Sequence, residues 1–251
     1  MSSTNVFGAP ISWVALFAAI LGGTSLIPLV FYGEGGGYLS LNIFLTPLVG
    51  MVLGPYAGAA AALVGAIIAI FFSPASVPGH IFQMWWLVIP ALVGGWMVSG
   101  RVRYALALAP FAILSYNIIP FYIPGPPVYG TPPQPFFAMS GWFLYIGILM
   151  WFTPLSIKYV PKWLKVGDAK RVFIAYLLAV WMCEPMGELL SGYPGFSVVF
   201  NLPPTLVATI AAFGVPWQRA LAYPAAAIVA SAIIIGMRKA GLRKIPRSIL
   251  S

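Results

Sequence analysis

The chain has 251 residues, of which 61% are hydrophobic and only 7% are charged, a composition that soluble domains of this length do not have. Long uncharged runs, rather than short stretches of alternating polar and apolar residues, indicate helices and argue against a β-barrel. The 13 Lys and Arg residues outnumber the 4 acidic residues, but they cluster between the hydrophobic runs, as in the cytoplasmic loops of membrane proteins. We therefore expect one all-α, polytopic membrane domain over residues 1–251, with no bound nucleic acid.

The first apolar run predicts a membrane-spanning helix over residues 10–32. It carries Ala15, Ala19 and Gly23 at a spacing of four residues, which places small side chains on one helix face. Such faces let two helices approach closely in lipid, so we expect this one to pack against a partner helix. Glu34 follows in a glycine-rich loop with little backbone preference of its own.

Residues 41–72 contain no charge and are long enough for two short helices. Gly54 and Pro55 lie near the midpoint, where glycine can end one helix with a positive φ and proline can begin the next. The sequence therefore predicts a short helical hairpin. Small residues recur every four positions along its second arm, which predicts a packing surface rather than a lipid-facing one. The residues of that surface include Gly58, Ala62 and Gly65.

Five more apolar runs predict further membrane-spanning helices, at 82–99, 104–123, 136–157, 172–190 and 221–237. Because Lys and Arg concentrate on the cytoplasmic side, the basic clusters between these runs orient the chain. The result is about six to eight helices in the cell membrane, with both termini cytoplasmic. The remaining segment, 196–216, is interrupted by prolines and is predicted to re-enter the membrane without crossing it.

Two acidic residues, Glu184 and Glu188, lie inside a predicted helix, and their spacing of four places them on one face. At about 1.5 Å per residue, both fall in the outer half of the membrane. An ionisable group there costs about 2.5–3.5 kcal/mol on insertion scales, so each needs a compensating role. Polar and aromatic residues are predicted at the same level, namely Asn42, Trp85, Trp86, Tyr116 and Asn117.

A layer of this composition is typical of a small-molecule pocket. The paired glutamates could hold a cationic or hydrogen-bond-donating ligand, or could share a proton. Alternatively, one glutamate pairs with a base such as Arg219, or is protonated and bonded to a neighbour, and there is no ligand.

The sequence contains no phosphate-binding glycine loop, zinc-binding helix, nucleophile elbow or Ser/His/Asp set. A single histidine, His80, and a single cysteine, Cys183, argue against a multi-histidine metal site and an internal disulfide. We therefore expect a protein that is not an enzyme, with no cofactor and no metal.

Residues 49–65, VGMVLGPYAGAAAALVG, resemble the turn between the second and third helices of the substrate-binding S components of energy-coupling factor (ECF) transporters. Ala15 and Ala19 resemble the small-residue motif by which such subunits dock on a transmembrane coupling subunit. The resemblance implies capture of a vitamin-like nutrient from the outer side and ATP-driven uptake by partner subunits. It also implies a ligand near Glu184, beneath a lid formed by residues 34–38 with Glu34 among them.

Two other functions fit the same residues. One is an ion-coupled secondary transporter in which Glu184 and Glu188 form the cation site, although the two halves of the chain show no clear repeat. The other is a structural subunit of a larger membrane complex, in which the small-residue faces serve assembly alone. Since the chain has no ATP-binding motif, ATP-driven uptake would need ATPase partner subunits.

Overall fold

The structure is a computed structural model that describes residues 5–31, 37–77, 79, 84–122, 139–240 and 245–251. These residues form a bundle of α-helices with two small two-stranded sheets. Four helices are long and apolar enough to cross a membrane, or five if one bent pair counts as a single span. The chain is therefore a multi-pass helical membrane protein, as its composition predicts.

The first half of the chain supplies both sheets and five helices. In order, its elements are β1 (Asn5–Val6), β2 (Ala9–Pro10), α1 (Ile11–Thr24), β3 (Pro28–Phe31), β4 (Tyr38–Ser40), α2 (Leu41–Leu53), α3 (Pro55–Phe72), α4 (Met84–Val98) and α5 (Val102–Tyr122).

The described residues of the second half are mainly helical, with three π-helical turns inserted between α-helical segments. Its α-helices are α6 (Trp142–Leu149), α7 (Val160–Val166), α8 (Ala169–Gly187), α9 (Tyr193–Phe200), α10 (Pro204–Thr209) and α11 (Val215–Lys239). The π-helical turns are Leu155–Tyr159, Glu188–Gly192 and Ile210–Gly214.

The predicted hairpin is confirmed: α2 ends at Gly54, whose φ is 84°, and α3 begins at Pro55. The far ends of the two helices lie side by side, because the hydroxyls of Tyr38 and Ser73 both donate to the carbonyl oxygen of Ser25, each at 3.1 Å. These bonds also anchor the β3–β4 sheet. We call this open end of the α2–α3 hairpin the hairpin end. The opposite end, which carries the turn at Gly54 as well as Arg101 and Arg238, is the basic end.

Helices α2, α3 and α4 pack backbone to backbone through glycines. A methyl group on Gly50 would collide with the backbone of Ala91, and one on Gly94 would lie 2.8 Å from the carbonyl oxygen of Pro47. Gly58 in turn faces the backbone of Gly50. In lipid, where the hydrophobic effect does not drive helices together, such close approach supplies the packing energy.

The two predicted small-residue faces have different environments. Gly65 packs against Leu21 and the carbonyl oxygen of Ala18, and Gly58 and Ala62 are also buried within the chain. The α3 face is therefore used internally. The α1 face is exposed along its length, at Ala15, Ala19 and Gly23.

Two long helical segments dominate the second half: Ala169–Phe200, with 32 residues, and Pro204–Lys239, with 36 residues. They are joined by a tight turn in which Asn201 is left-handed, with φ of 51°, a conformation that Asn tolerates better than most residues. The predicted re-entrant segment at 196–216 therefore differs from the structure. Its two arms are the ends of these long helices. The helices continue through the prolines that the sequence predicts as breaks, because π-helical turns join their segments.

Two other predicted spans also differ from the structure. The first helix ends at Thr24 instead of continuing to 32, because Pro28 lacks the N–H that a helix needs and the chain instead pairs with β4. The predicted span 136–157 is part of a pair of helical segments, Trp142–Phe152 and Leu155–Val166, bent by 66°. The bend falls at Thr153 and Pro154.

The contact between Gly50 and Ala91 predicts that Gly50→Ala lowers the free energy of unfolding by about 1–3 kcal/mol, because the added methyl forces α2 and α4 apart. Gly23→Ala is the matched control, since nothing lies within 4 Å of the position that its methyl would take. Thermal unfolding of both variants in detergent measures the difference. Equal melting temperatures would contradict the proposed role of the close α2–α4 contact.

Candidate functional site

A cluster of three charged side chains lies between the two long helical segments. Glu184 comes from α8, Glu188 from the π-helical turn that follows, and Arg219 from α11. The segments run antiparallel from the turn at Asn201, which brings position 219 opposite positions 184 and 188. The side chains are almost completely buried, with exposures of 1% for Arg219, 0% for Glu184 and 5% for Glu188.

Arg219 bridges the two carboxylates through one nitrogen. Its Nη2 donates to Glu184 Oε1 at 3.0 Å and to Glu188 Oε2 at 2.7 Å. Two neutral donors complete the shell of Glu184: Trp86 Nε1 reaches Oε1 at 3.1 Å, and the Tyr223 hydroxyl reaches Oε2 at 2.9 Å. Glu184 thus accepts three hydrogen bonds and Glu188 accepts one from these groups.

The guanidinium is covered on one side by an aromatic ring. Arg219 Cζ lies 5.2 Å from the centroid of the Phe44 ring, and the Tyr223 ring meets Phe44 nearly edge-on at 5.7 Å. A cation over a ring face is stabilised by the quadrupole of the ring, most strongly where water is excluded.

A side chain from α8 holds Phe44 in place by bonding to the backbone of α2. The Tyr176 hydroxyl donates to the carbonyl oxygen of Phe44 at 2.8 Å and accepts from the N–H of Leu48 at 3.3 Å. A hydroxyl inserted between residues i and i+4 opens a helix, and Pro47 further weakens the ladder at this turn. Helix α8 therefore fixes the α2 residue that covers Arg219.

Proline and glycine in α8 allow close approach by neighbouring helices. Pro185 cannot donate to the carbonyl oxygen of Trp181, and the backbone of Gly147 packs against that oxygen. A methyl on Gly187 would lie 2.7 Å from the carbonyl oxygen of Trp86. The small residue at 187 thus lets α4 come close enough for the Trp86 indole to reach Glu184.

The charges of the cluster do not balance on their own. Arg219 is protonated under all ordinary conditions, so two ionised glutamates would leave the cluster with one net negative charge. Desolvation of an ion costs several kcal/mol in a protein interior, and only a good partner offsets that cost. One further positive charge, either a proton or another cation, would make the buried cluster neutral.

Two buried polar groups of the cluster and its surroundings have no hydrogen-bond partner among the residues that the structure describes. They are Arg219 Nε and the Tyr193 hydroxyl. Buried polar groups without a partner are rare in native proteins, and each calls for an explanation. The cluster therefore has unused hydrogen-bonding capacity.

A narrow apolar crevice adjoins the cluster at the hairpin end. It shares the Trp86 side chain with the cluster, and its other lining residues are Ile43, Ser76, Val77 and Leu87. The crevice has no room for a water molecule, so its walls are closely packed.

The predicted layer is partly assembled. Trp86 joins Glu184 and Glu188, as the sequence suggests. Tyr116 contacts Tyr193, which lies near the cluster, with 5.0 Å between the two ring centroids. The Tyr116 hydroxyl bonds to that of Ser140 at 2.6 Å.

The other predicted residues are not in the contacts of the cluster. Asn117 donates to the Tyr145 hydroxyl at 2.8 Å, and Asn42 is buried and accepts from Ser40. Trp85 is 48% exposed, as in an aromatic belt residue at a membrane interface. Glu34 lies outside the described residues.

Sequence reasoning named Arg219 only as an alternative partner and missed Tyr223, Tyr193 and Phe44. The last helix was predicted to begin at 221, which left Arg219 in a loop. One signal was available in the sequence. The last apolar run can be extended back to residue 204, which places Arg219 inside it, and an arginine inside a membrane helix usually pairs with a buried acid.

Comparison of the chain with protein-family models, with curated proteins and with solved structures finds no match in any of the three.

Arg219→Gln is expected to lower the free energy of unfolding by about 3–5 kcal/mol, because it leaves buried carboxyl groups without their cation. Arg103→Gln is the control: it removes the same charge from an exposed position and should change stability by less than about 0.5 kcal/mol. Denaturation in detergent distinguishes the two. A small effect at Arg219 would mean that the cluster contributes little to the fold.

Proposed function

We propose that this protein is a membrane subunit that captures a small polar nutrient at the hairpin end, for uptake driven by partner subunits. The observation that carries the proposal is a buried charge cluster with nearby polar groups that have no partner among the described residues. Ionisable groups inside membrane helices are costly and usually functional. A cluster that served stability alone would be expected to use all of its donors.

Capture at this site requires the solute to replace contacts within the protein. Arg219 Nε and the Tyr193 hydroxyl have no partner among the described residues and offer hydrogen-bonding capacity to a solute. The apolar crevice beside Trp86 has no room for a water molecule, so a solute would also have to displace the side chains that line it. The β3–β4 sheet is a candidate cover, because it lies at the hairpin end and β3 contacts α11, the helix of Arg219. In this proposal the basic end and both termini face the cytoplasm, and the hairpin end faces outward.

The proposed partners are a transmembrane coupling subunit and ATPase subunits. The exposed face of Ala15, Ala19 and Gly23 on α1 supports this, since small residues allow another helix to approach closely. The resemblance of residues 49–65 to S components of ECF transporters supports the same arrangement, in which this chain captures the solute and partner subunits drive its uptake.

The hydrogen bonds of Glu184 favour a second candidate, a structural subunit without a ligand. Both of its oxygens are occupied by donors from this chain, namely Arg219, Trp86 and Tyr223. Ion-coupled transport is a third candidate, supported by the missing positive charge of the cluster.

Thermal unfolding of the purified protein with a panel of vitamins and related nutrients tests the proposal. A ligand at a thousandfold excess over its Kd adds about 4 kcal/mol to stability, so a specific compound should raise the melting temperature. Trp86→Phe should weaken that shift, because it removes the indole N–H at Glu184. Trp85→Phe is the matched control, since the Trp85 indole is next in the sequence but half-exposed.

The three candidates predict different outcomes. No shift with any compound would support the structural subunit. A shift with sodium or pH alone, abolished by Glu184→Gln, would support ion-coupled transport.

Purification from native membranes tests the partner proposal. Ala19→Trp should reduce the recovery of a coupling subunit and its ATPases, because the indole blocks the small-residue face, while the melting temperature stays unchanged. Val64→Trp places the same side chain at an exposed position on α3 and should leave recovery intact. Equal recovery from both variants would exclude α1 as the docking face.

A further inference from the structure

The two glutamates of the cluster are not equivalent. Glu184 accepts from Arg219, Trp86 and Tyr223, which together occupy three of its roughly four acceptor sites. Of these three donors, only Arg219 also donates to Glu188. Three donors stabilise the ionised form of a carboxyl group, so Glu184 is the natural counter-charge of Arg219.

The two glutamates also bind the same nitrogen of Arg219, at 3.0 Å and 2.7 Å, so their carboxyl groups are neighbours in the buried cluster. Two carboxylates repel each other and have no hydrogen to share, so a bond between them requires one proton. That proton would fill the fourth acceptor site of Glu184 and would bring the net charge of the cluster to zero.

We propose that Glu188 carries an exchangeable proton, which it donates to the ionised Glu184, and that the cluster is therefore a proton-binding site. The proton moves between the Glu188 carboxyl and water, and no other bond forms or breaks. Its use in transport rests on the proposed function: a cationic group of the solute would take the place of the proton, so that the buried cluster stays neutral.

Several ionisable groups lie around Glu188. The ionisable groups that act on Glu188 are Arg219 and Glu184, with Tyr193 on the same helix, Tyr116 on α5 and Tyr223 on α11. The Tyr193 hydroxyl is buried and has no partner among the described residues. It packs on Tyr116, whose hydroxyl bonds to Ser140.

Infrared spectroscopy of the reconstituted protein tests this directly, since a protonated carboxyl has a C=O stretching band separate from those of carboxylates and amides. The chain has only four acidic residues, so the spectrum is simple to assign. We expect the band at neutral pH in the wild type and its loss in Glu188→Gln. The double variant Glu34→Gln/Asp168→Asn is the control and should keep the band.

Glu184→Gln gives the sharpest result. With one carboxyl left, Glu188 must release its proton to balance Arg219, so the band should vanish even though Glu188 is intact. If this variant does not fold, the comparison of the wild type with Glu188→Gln still decides the matter. Glu188→Gln keeps an oxygen acceptor for Arg219 and should melt near the wild-type temperature.

Several results would overturn the proposal: no band in the wild type, a band that survives in Glu188→Gln, or a band that is kept in Glu184→Gln. A band that appears only when sodium is removed at constant pH would show that a metal cation, not a proton, neutralises the cluster. Failure of the infrared test leaves any nutrient-dependent thermal shift unaffected, so the two proposals can fail separately.

Discussion

The bridge from the Arg219 guanidinium to two buried carboxyl groups is the interaction on which the second half of the structure depends. It joins the long helical segments Ala169–Phe200 and Pro204–Lys239 near their middle, where water cannot replace either partner. A buried ion pair of this kind is weak evidence for stability, because desolvation offsets much of the attraction. Its specificity is the stronger effect: sliding one segment by a turn would leave three charges without partners.

The first half of the chain depends on a different constraint, the close approach of α2, α3 and α4 through glycines. The two halves meet at the cluster, where α2 contributes Phe44 and α4 contributes Trp86. The Tyr176 hydroxyl in the opened turn of α2 links the halves again. The cluster is therefore connected, through Phe44 and Tyr176, to the helix that follows the β3–β4 sheet.

Much of the architecture could be predicted from local signals. The break at Gly54 and Pro55 was recognisable because both residues have a strong backbone preference that acts within one turn. The boundaries of the long segments were not recognisable from the sequence. Proline usually breaks a helix, and such breaks are expected at Pro194, Pro204 and Pro216. In the structure Pro204 begins a helical segment, where its missing N–H costs nothing. Pro194 and Pro216 lie inside the long segments, each two residues after a π-helical turn, where the regular i→i−4 ladder is already interrupted.

The sequence by itself determined that this is a multi-pass helical protein, that α2 and α3 form a hairpin, and that two glutamates share one helix face. Those conclusions follow from composition and from spacings along a single helix. Only the tertiary structure decided which groups meet the glutamates, because Trp86 and Arg219 lie 98 and 35 residues from Glu184 along the chain. Contacts at such separations depend on how helices pack, and helix packing is a property of the whole bundle.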